Sequence, residues 1–353
     1  MISAINLIIL LFLNIIISFT SLIYLKKIFL DKKEISNKIL NRFGERWGNS
    51  KKSHFGGIAI SVNIIFTNIY LFILFNKFYI LNLNEIFFFS LIVLLSGIFG
   101  YLDEKFNFKA LYKLGLQVIV SIFLILNQKL INFSSIEVFN VIFTIIVFVY
   151  FFNVTNMFDN IDMGLTSVSL GAVIFMFALS NSGFVATFSL IITFSFLLTF
   201  IYFNKFPSKM FMGDIGSFQI SVLFLGLISE LYWKNFNFIG YVNSIYYLLL
   251  SFMIFLIPIY DFFLVISRRI YLKKDIFIGD TNHFSHVLNL KVNNPNYVAI
   301  ILFIITSITG FLSILVDKYL VGDLKISLIQ LITILLIQFI IMTLTYIKLS
   351  NNE

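Results

Sequence analysis

The chain has 353 residues, 59% hydrophobic and only 12% charged. A water-soluble domain carries about a quarter charged residues, so the composition excludes a water-soluble globule and points to a bilayer as solvent. The formal net charge is +8 and cysteine is absent, which excludes disulfides, a thiolate nucleophile and Cys-based zinc sites.

A helix that crosses a bilayer needs roughly 20 apolar residues, because its backbone polar groups must be satisfied internally. Runs of this kind lie near residues 5–25, 57–76, 86–102, 112–127, 136–153, 164–181, 184–203, 216–233, 244–267, 297–316 and 326–347. The fold expected is therefore all-α: one polytopic membrane domain over residues 1–353, a bundle of about eleven transmembrane helices. In the first run the basic residues Lys26 and Lys27 follow the apolar stretch rather than precede it. That order reads as a membrane anchor and not as a cleaved signal. Only Asn181, Ser182 and Gly183 part the sixth and seventh runs.

With residue 1 outside, the cytoplasmic segments are 26–56, 103–113, 154–163, 204–215, 268–296 and the C-terminal tail. They hold 20 of the 25 Lys and Arg residues, the outer loops only Lys77, Lys129, Lys234, Lys318 and Lys325. The positive-inside rule favours this orientation, with the C-terminus cytoplasmic. In the first inner loop Ile39, Leu40, Phe43 and Trp47 recur at helical spacing beside Arg42 and Arg46, which predicts a short helix on the membrane surface. There is no nucleic-acid module and no repeat of fixed period.

The acids gather on that same inner side. Asp103-Glu104 follows the third run, with Lys113 and Gln117 beyond. Asn153, Asn156, Asp159 and Asp162 recur every third residue after the fifth. On a helix that spacing keeps them near one face. Asp214 stands between Gly213 and Gly216 before the eighth run, and Gly279-Asp280-Thr281-Asn282-His283-Phe284-Ser285-His286 follows the ninth. His54 lies in the first inner loop. Acids at the ends of apolar helices are costly unless they find partners or water, and a solvated helix cap or a turn aspartate is the plainer reading of each alone. Together, oxygen donors of this kind suit Mg²⁺ or Mn²⁺ with phosphate completing the shell.

These motifs, in this order, resemble the polyprenyl-phosphate N-acetylhexosamine-1-phosphate transferase family (glycosyltransferase family 4), and look closer to its O-antigen-initiating branch. The resemblance runs from Gly56-Gly57 to the His283–His286 loop. It is carried most specifically by Asn156–Asp162 and Phe211–Ser217, with Pro258-Ile259-Tyr260-Asp261 and Arg268-Arg269 similar to the family's ninth helix. It implies catalytic roles for Asp103, Glu104, Asp159, Asp162, His283 and His286. It also implies substrate binding by Lys113, Asn153, Asn156 and His54, and a metal held by Asp214 with Asn156. Three features depart from the family pattern: Glu104 stands where Asp is usual, Met163 intervenes before Gly164, and Lys51–Phe55 lacks a proline.

The implied reaction is attack of a polyprenyl phosphate on the β-phosphorus of a UDP-N-acetylhexosamine with release of UMP. It would be Mg²⁺-dependent and at the cytoplasmic face of a bacterial inner membrane, opening cell-envelope polysaccharide synthesis. Transfer of phospho-N-acetylmuramoyl-pentapeptide is the rival within the family. A secondary transporter is the rival outside it, disfavoured because transporters bind near the midplane between repeats. Exposed apolar faces also permit a homodimer.

Overall fold

The computed structural model describes residues 4–31, 53–74, 80–127, 131, 134–179, 183–233, 241–275, 283–319 and 324–350. The surface helix expected around Trp47 and the stretch Gly279–Asn282 lie outside the described residues. Among those described are thirteen helices. They are α1 (Ala4–Asp31), α2 (Ile58–Leu74), α3 (Ile80–Phe106), α4 (Ala110–Asn127), α5 (Glu137–Phe158), α6 (Gly164–Leu179), α7 (Phe184–Asn204), α8 (Gly213–Leu231), α9 (Tyr241–Ile254), α10 (Leu256–Tyr271), α11 (Phe284–Val292), α12 (Pro295–Tyr319) and α13 (Leu324–Ser350). Eight are long and apolar enough to cross a membrane, nine spans if α9 and α10 count as one; Ile58–Leu74 and Gly164–Phe177 are apolar but shorter.

The chain forms two compact units. The first comprises Met1–Asn127 and Gly183–Leu227, the second Gln128–Ser182 and Ile228–Glu353. In the first unit α1 packs on α2 and α7, and α3 on α2, α4 and α7. Helix α1 shows how lipid and protein divide a helix between them. Ile5, Ile8, Phe12, Ile16 and Ile23 are exposed, whereas Leu10, Asn14, Ser18, Leu22 and Leu25 are buried at a spacing of three or four. The polar members of the inner face bond across helices. The Thr67 hydroxyl donates to Asn14 Oδ1 at 3.1 Å, and Ser18 and Thr199 hydroxyls pair at 2.7 Å. In an apolar solvent such bonds replace hydrophobic burial as the link between helices.

In the second unit α6 lies along α12, α10 on α5, and α11 on α12 and α13. One apolar cluster joins them: Phe158, Ile161, Val168, Leu256, Ile257, Tyr260, Phe284, Leu288, Val298, Leu302 and Met342. The ninth apolar run, 244–267, is not one straight helix. It is broken at Phe255, and α9 and α10 meet at 89°. Pro258 explains the position of the break. In a continuous helix its ring would clash with the Ile254 carbonyl, whereas in the first turn of α10 its missing N–H costs nothing. The step from α11 to α12 is equally local. Asn293 caps α11 in the left-handed conformation (φ 54°), and Pro295 begins the next helix.

Candidate functional site

In the first unit the polar residues meet at the start of α8. Residues 53–57 run beside 210–212: Phe211 N–H donates to Ser53 O at 2.8 Å, Gly56 N–H to Phe211 O and Gly57 N–H to Met212 O, each at 3.0 Å. This pairing seats the His54 ring on Phe211, centroids 5.1 Å apart. Gly213 then opens α8 at φ +73°, a conformation glycine adopts without strain. A β-carbon there would fall on the His54 carbonyl and the Glu104 carboxylate. Gly100, on the last full turn of α3 before the acids, lies so close to the Asp214 backbone that a β-carbon would overlap it. That approach brings the end of α3 against the first turn of α8.

Three acids and a lysine follow from this contact. Asp214 N–H donates to Glu104 Oε1 at 2.6 Å, so Glu104 satisfies a donor that the helix start would otherwise leave open. Glu104 Oε2 is buried without a hydrogen-bond partner. Lys113, from α4, reaches between the other two carboxylates. Its Nζ pairs with Asp103 Oδ2 and lies 2.9 Å from Asp214 Oδ2. Asp103 is 6% exposed, but Lys113 and Asp214 are 19% and 23% exposed, so the lysine–Asp214 edge opens outward. The Lys113 ammonium also stands 5.3 Å from the centre of the Phe218 ring. Buried charge demands a partner, and here one cation serves two anions.

In the second unit the expected helical face is corrected. Helix α5 ends at Phe158, with Asp159 as its C-cap, so only Asn153 and Asn156 stand on the helix. Asp162 lies in the turn that follows, and Met163 takes φ +64° before α6 begins at Gly164. The Asn160 amide donates to Met157 O at 3.0 Å and closes the helix end, a local bond that competes with helix continuation. The Asn153 amide turns back to Val149 O on its own helix at 2.8 Å. The same turn meets α11: the Ser285 hydroxyl donates to Asn160 Oδ1 at 2.7 Å. Phe158 and Ile161, which flank the acids, share the apolar cluster with Phe284 and Leu288 of α11. His283 precedes α11 and is bound by Asp261 of α10, Nδ1 to Oδ2 at 2.7 Å, while Phe284 N–H donates to Asp261 Oδ1 at 2.6 Å. The His283 and His286 rings lie 6.0 Å apart.

The structure thus brings Asp103, Glu104, Lys113, Asp214 and the His54 segment together in one unit. It brings the 159–162 turn and His283 together in the other. Asp261, Asn160 and Ser285 are further partners in this unit, and the bond from Asp261 to a histidine 22 residues away belongs to tertiary structure, not to any local motif. Among the described residues no three His, Asp or Glu side chains are grouped to hold a metal ion. Magnesium, however, is commonly held by one or two carboxylates with phosphate and water. The Asp103–Asp214 pair, which already shares one cation in Lys113, fits that donor set.

Apolar helices with carboxylates collected at their ends define a multi-pass membrane protein. The chain is similar to glycosyl transferase family 4, whose model matches residues 86–232. It is 26% identical over 205 residues to the "Probable undecaprenyl-phosphate N-acetylglucosaminyl 1-phosphate transferase" of Bacillus subtilis (strain 168), covering 54% of each chain. It is 27% identical over 276 residues to the "Phospho-N-acetylmuramoyl-pentapeptide-transferase" of Dictyoglomus turgidum, covering 72% of this chain and 82% of that one. A protein of the same description from Streptococcus thermophilus is 32% identical over 161 residues, 39% of this chain and 46% of its own length. The chain therefore spans about half the length of the Bacillus relative it matches.

Proposed function

We propose that the protein transfers N-acetylhexosamine-1-phosphate from a UDP-linked donor to a polyprenyl phosphate and releases UMP, at the cytoplasmic face of a bacterial membrane. The observation that carries this reading is the clasp of Lys113 by Asp103 and Asp214 at the head of α8. Transfer between two anionic phosphates requires their repulsion to be neutralised and their oxygens to be positioned, with little covalent work for the protein. Lys113 supplies a fixed positive charge for a phosphate oxygen, and its ammonium stands 5.3 Å from the centre of the Phe218 ring. Asp103 orients the attacking phosphate, which is already largely ionised near neutral pH, so positioning outweighs base strength. Glu104 keeps the first turn of α8 in place through Asp214 N–H.

Asp214, with Asp103 beside it, would hold Mg²⁺ in this reading. A bound Mg²⁺ supplies charge neutralisation at the pyrophosphate and at the departing UMP. In the second unit Asn153, Asn156, Asp159, Asp162, His283 and His286 are polar groups of the kind a nucleotide sugar would meet. An acceptor with a polyprenyl tail in hydrocarbon and a phosphate in water suits acids placed at helix ends.

The description of the Dictyoglomus relative favours a second reading, in which the donor is UDP-N-acetylmuramoyl-pentapeptide. Detergent-purified protein incubated with undecaprenyl phosphate and a panel of UDP-sugars, with UMP measured, separates the two. The first reading expects turnover with a simple UDP-N-acetylhexosamine; turnover with the muropeptide donor alone would replace it with the second.

A further inference from the structure

We infer that Asp261 is a positioning residue that fixes His283 with its ring proton on Nδ1 and its lone pair on Nε2. The inference deepens the proposed function, on which its catalytic consequence rests. Asp261 is 1% exposed and His283 5% exposed, so neither group has water as an alternative partner of any size. Both carboxylate oxygens of Asp261 are engaged at the start of α11. Oδ1 accepts from Phe284 N–H at 2.6 Å, and Oδ2 faces His283 Nδ1 at 2.7 Å. A carboxylate is an acceptor on both oxygens, so the ring nitrogen that faces it is the donor. In a neutral imidazole the other nitrogen is then an acceptor.

The surroundings hold this arrangement. Tyr260, next to Asp261, packs edge-on against Phe284, next to His283, with ring centres 5.6 Å apart. Both belong to the apolar cluster that also contains Phe158 and Ile161. Rotation of the ring would leave a buried carboxylate oxygen without its donor, which low-dielectric surroundings penalise.

The consequence concerns which substrate group His283 meets. A ring with its lone pair on Nε2 accepts a hydrogen bond, or a proton, from a group that carries hydrogen. On a nucleotide sugar that group is a hydroxyl or the acetamido N–H, and a fully ionised phosphate oxygen is excluded as the partner of the neutral ring. His283 is thereby separated in role from Lys113, whose ammonium can only donate.

Nitrogen-15 chemical shifts of the histidine rings test this directly in the full chain, reconstituted in nanodiscs. The chain has only three histidines, and loss of one spin system in His283→Gln assigns the ring. At a pH where the ring is neutral, the wild type is expected to show a protonated Nδ1 and an unprotonated Nε2. Asp261→Asn, which presents an amide N–H or a neutral oxygen in place of the anion, is expected to shift the population to Nε2–H. A wild-type ring protonated on Nε2, or a tautomer unchanged in Asp261→Asn, overturns the inference. The wild-type spectrum decides even if the variant does not fold. In the UMP assay Asp261→Asn is expected to lower kcat by about 10²-fold, the scale of a mispositioned acid–base group, with the KM for polyprenyl phosphate little changed; wild-type kcat in that variant also overturns it. A wild type that releases no UMP from any donor removes the transfer reading, whereas the tautomer remains readable and judges this one separately.

Discussion

At the residue scale three acids divide the work at one helix start. Asp103 and Asp214 share the Lys113 ammonium, and Glu104 instead takes a backbone N–H. Replacing Lys113 by Met leaves two carboxylates facing each other without a cation. Loss of one partner from a buried pair costs about 3–5 kcal/mol, and partial exposure here reduces that to roughly 2 kcal/mol. A fall in the unfolding temperature in detergent, restored in large part by Lys113→Arg, is the expected result. Glu104 behaves differently. Glu104→Gln keeps an oxygen for Asp214 N–H, whereas Glu104→Ala frees that donor in a buried place, which costs about 1–3 kcal/mol. UMP release is therefore expected to survive better in Glu104→Gln than in Glu104→Ala; equal loss in both would show that the charge, not the cap, matters. The acids themselves were legible in the sequence because charge is rare in this chain. Their partners were not: Asp103 at the end of α3 and Lys113 at the start of α4 are near each other in sequence, but the bonds from Glu104 and Lys113 to Asp214 cross about a hundred residues.

At the element scale small residues decide how closely helices approach the site. A β-carbon on Gly57 would overlap the Gly216 backbone, and one on Gly100 the Asp214 backbone. Neither obstacle is a flexible side chain, so α8 itself would have to move. Gly57→Val is expected to destabilise by about 1–3 kcal/mol, the usual cost of overpacking, read as a lower unfolding temperature and lower folded yield. The apolar runs announced most helices, since a segment without charge over some twenty residues has few other solutions. Two features escaped. The run 244–267 looked continuous because hydropathy does not register the clash that Pro258 imposes four residues back. The Asn153–Asp162 repeat looked like a helical face because spacing cannot show that Asn160 folds back on Met157 O and ends α5.

At the scale of the whole molecule, composition points to a bilayer and the placement of Lys and Arg predicts which side faces the cytoplasm. The absence of cysteine makes the orientation testable, because any single introduced thiol is the only one present. Lys209→Cys, in the α7–α8 connection, is expected to react with an impermeant maleimide only from the cytoplasmic side. Glu137→Cys, at the start of α5, is expected to react only from outside. The reverse pattern would put the acids on the wrong side to meet a cytoplasmic nucleotide sugar.

The central claim is tested most directly by UMP release from purified protein given undecaprenyl phosphate, a UDP-N-acetylhexosamine and Mg²⁺, with Asp214→Asn measured alongside. Turnover is expected in the wild type, with its loss in excess EDTA and a fall of at least about 10²-fold in the variant, the scale of losing a principal electrostatic stabiliser, with insertion into the membrane intact. Asp214→Asn turning over at the wild-type rate, or wild-type turnover undiminished by chelation, would contradict it.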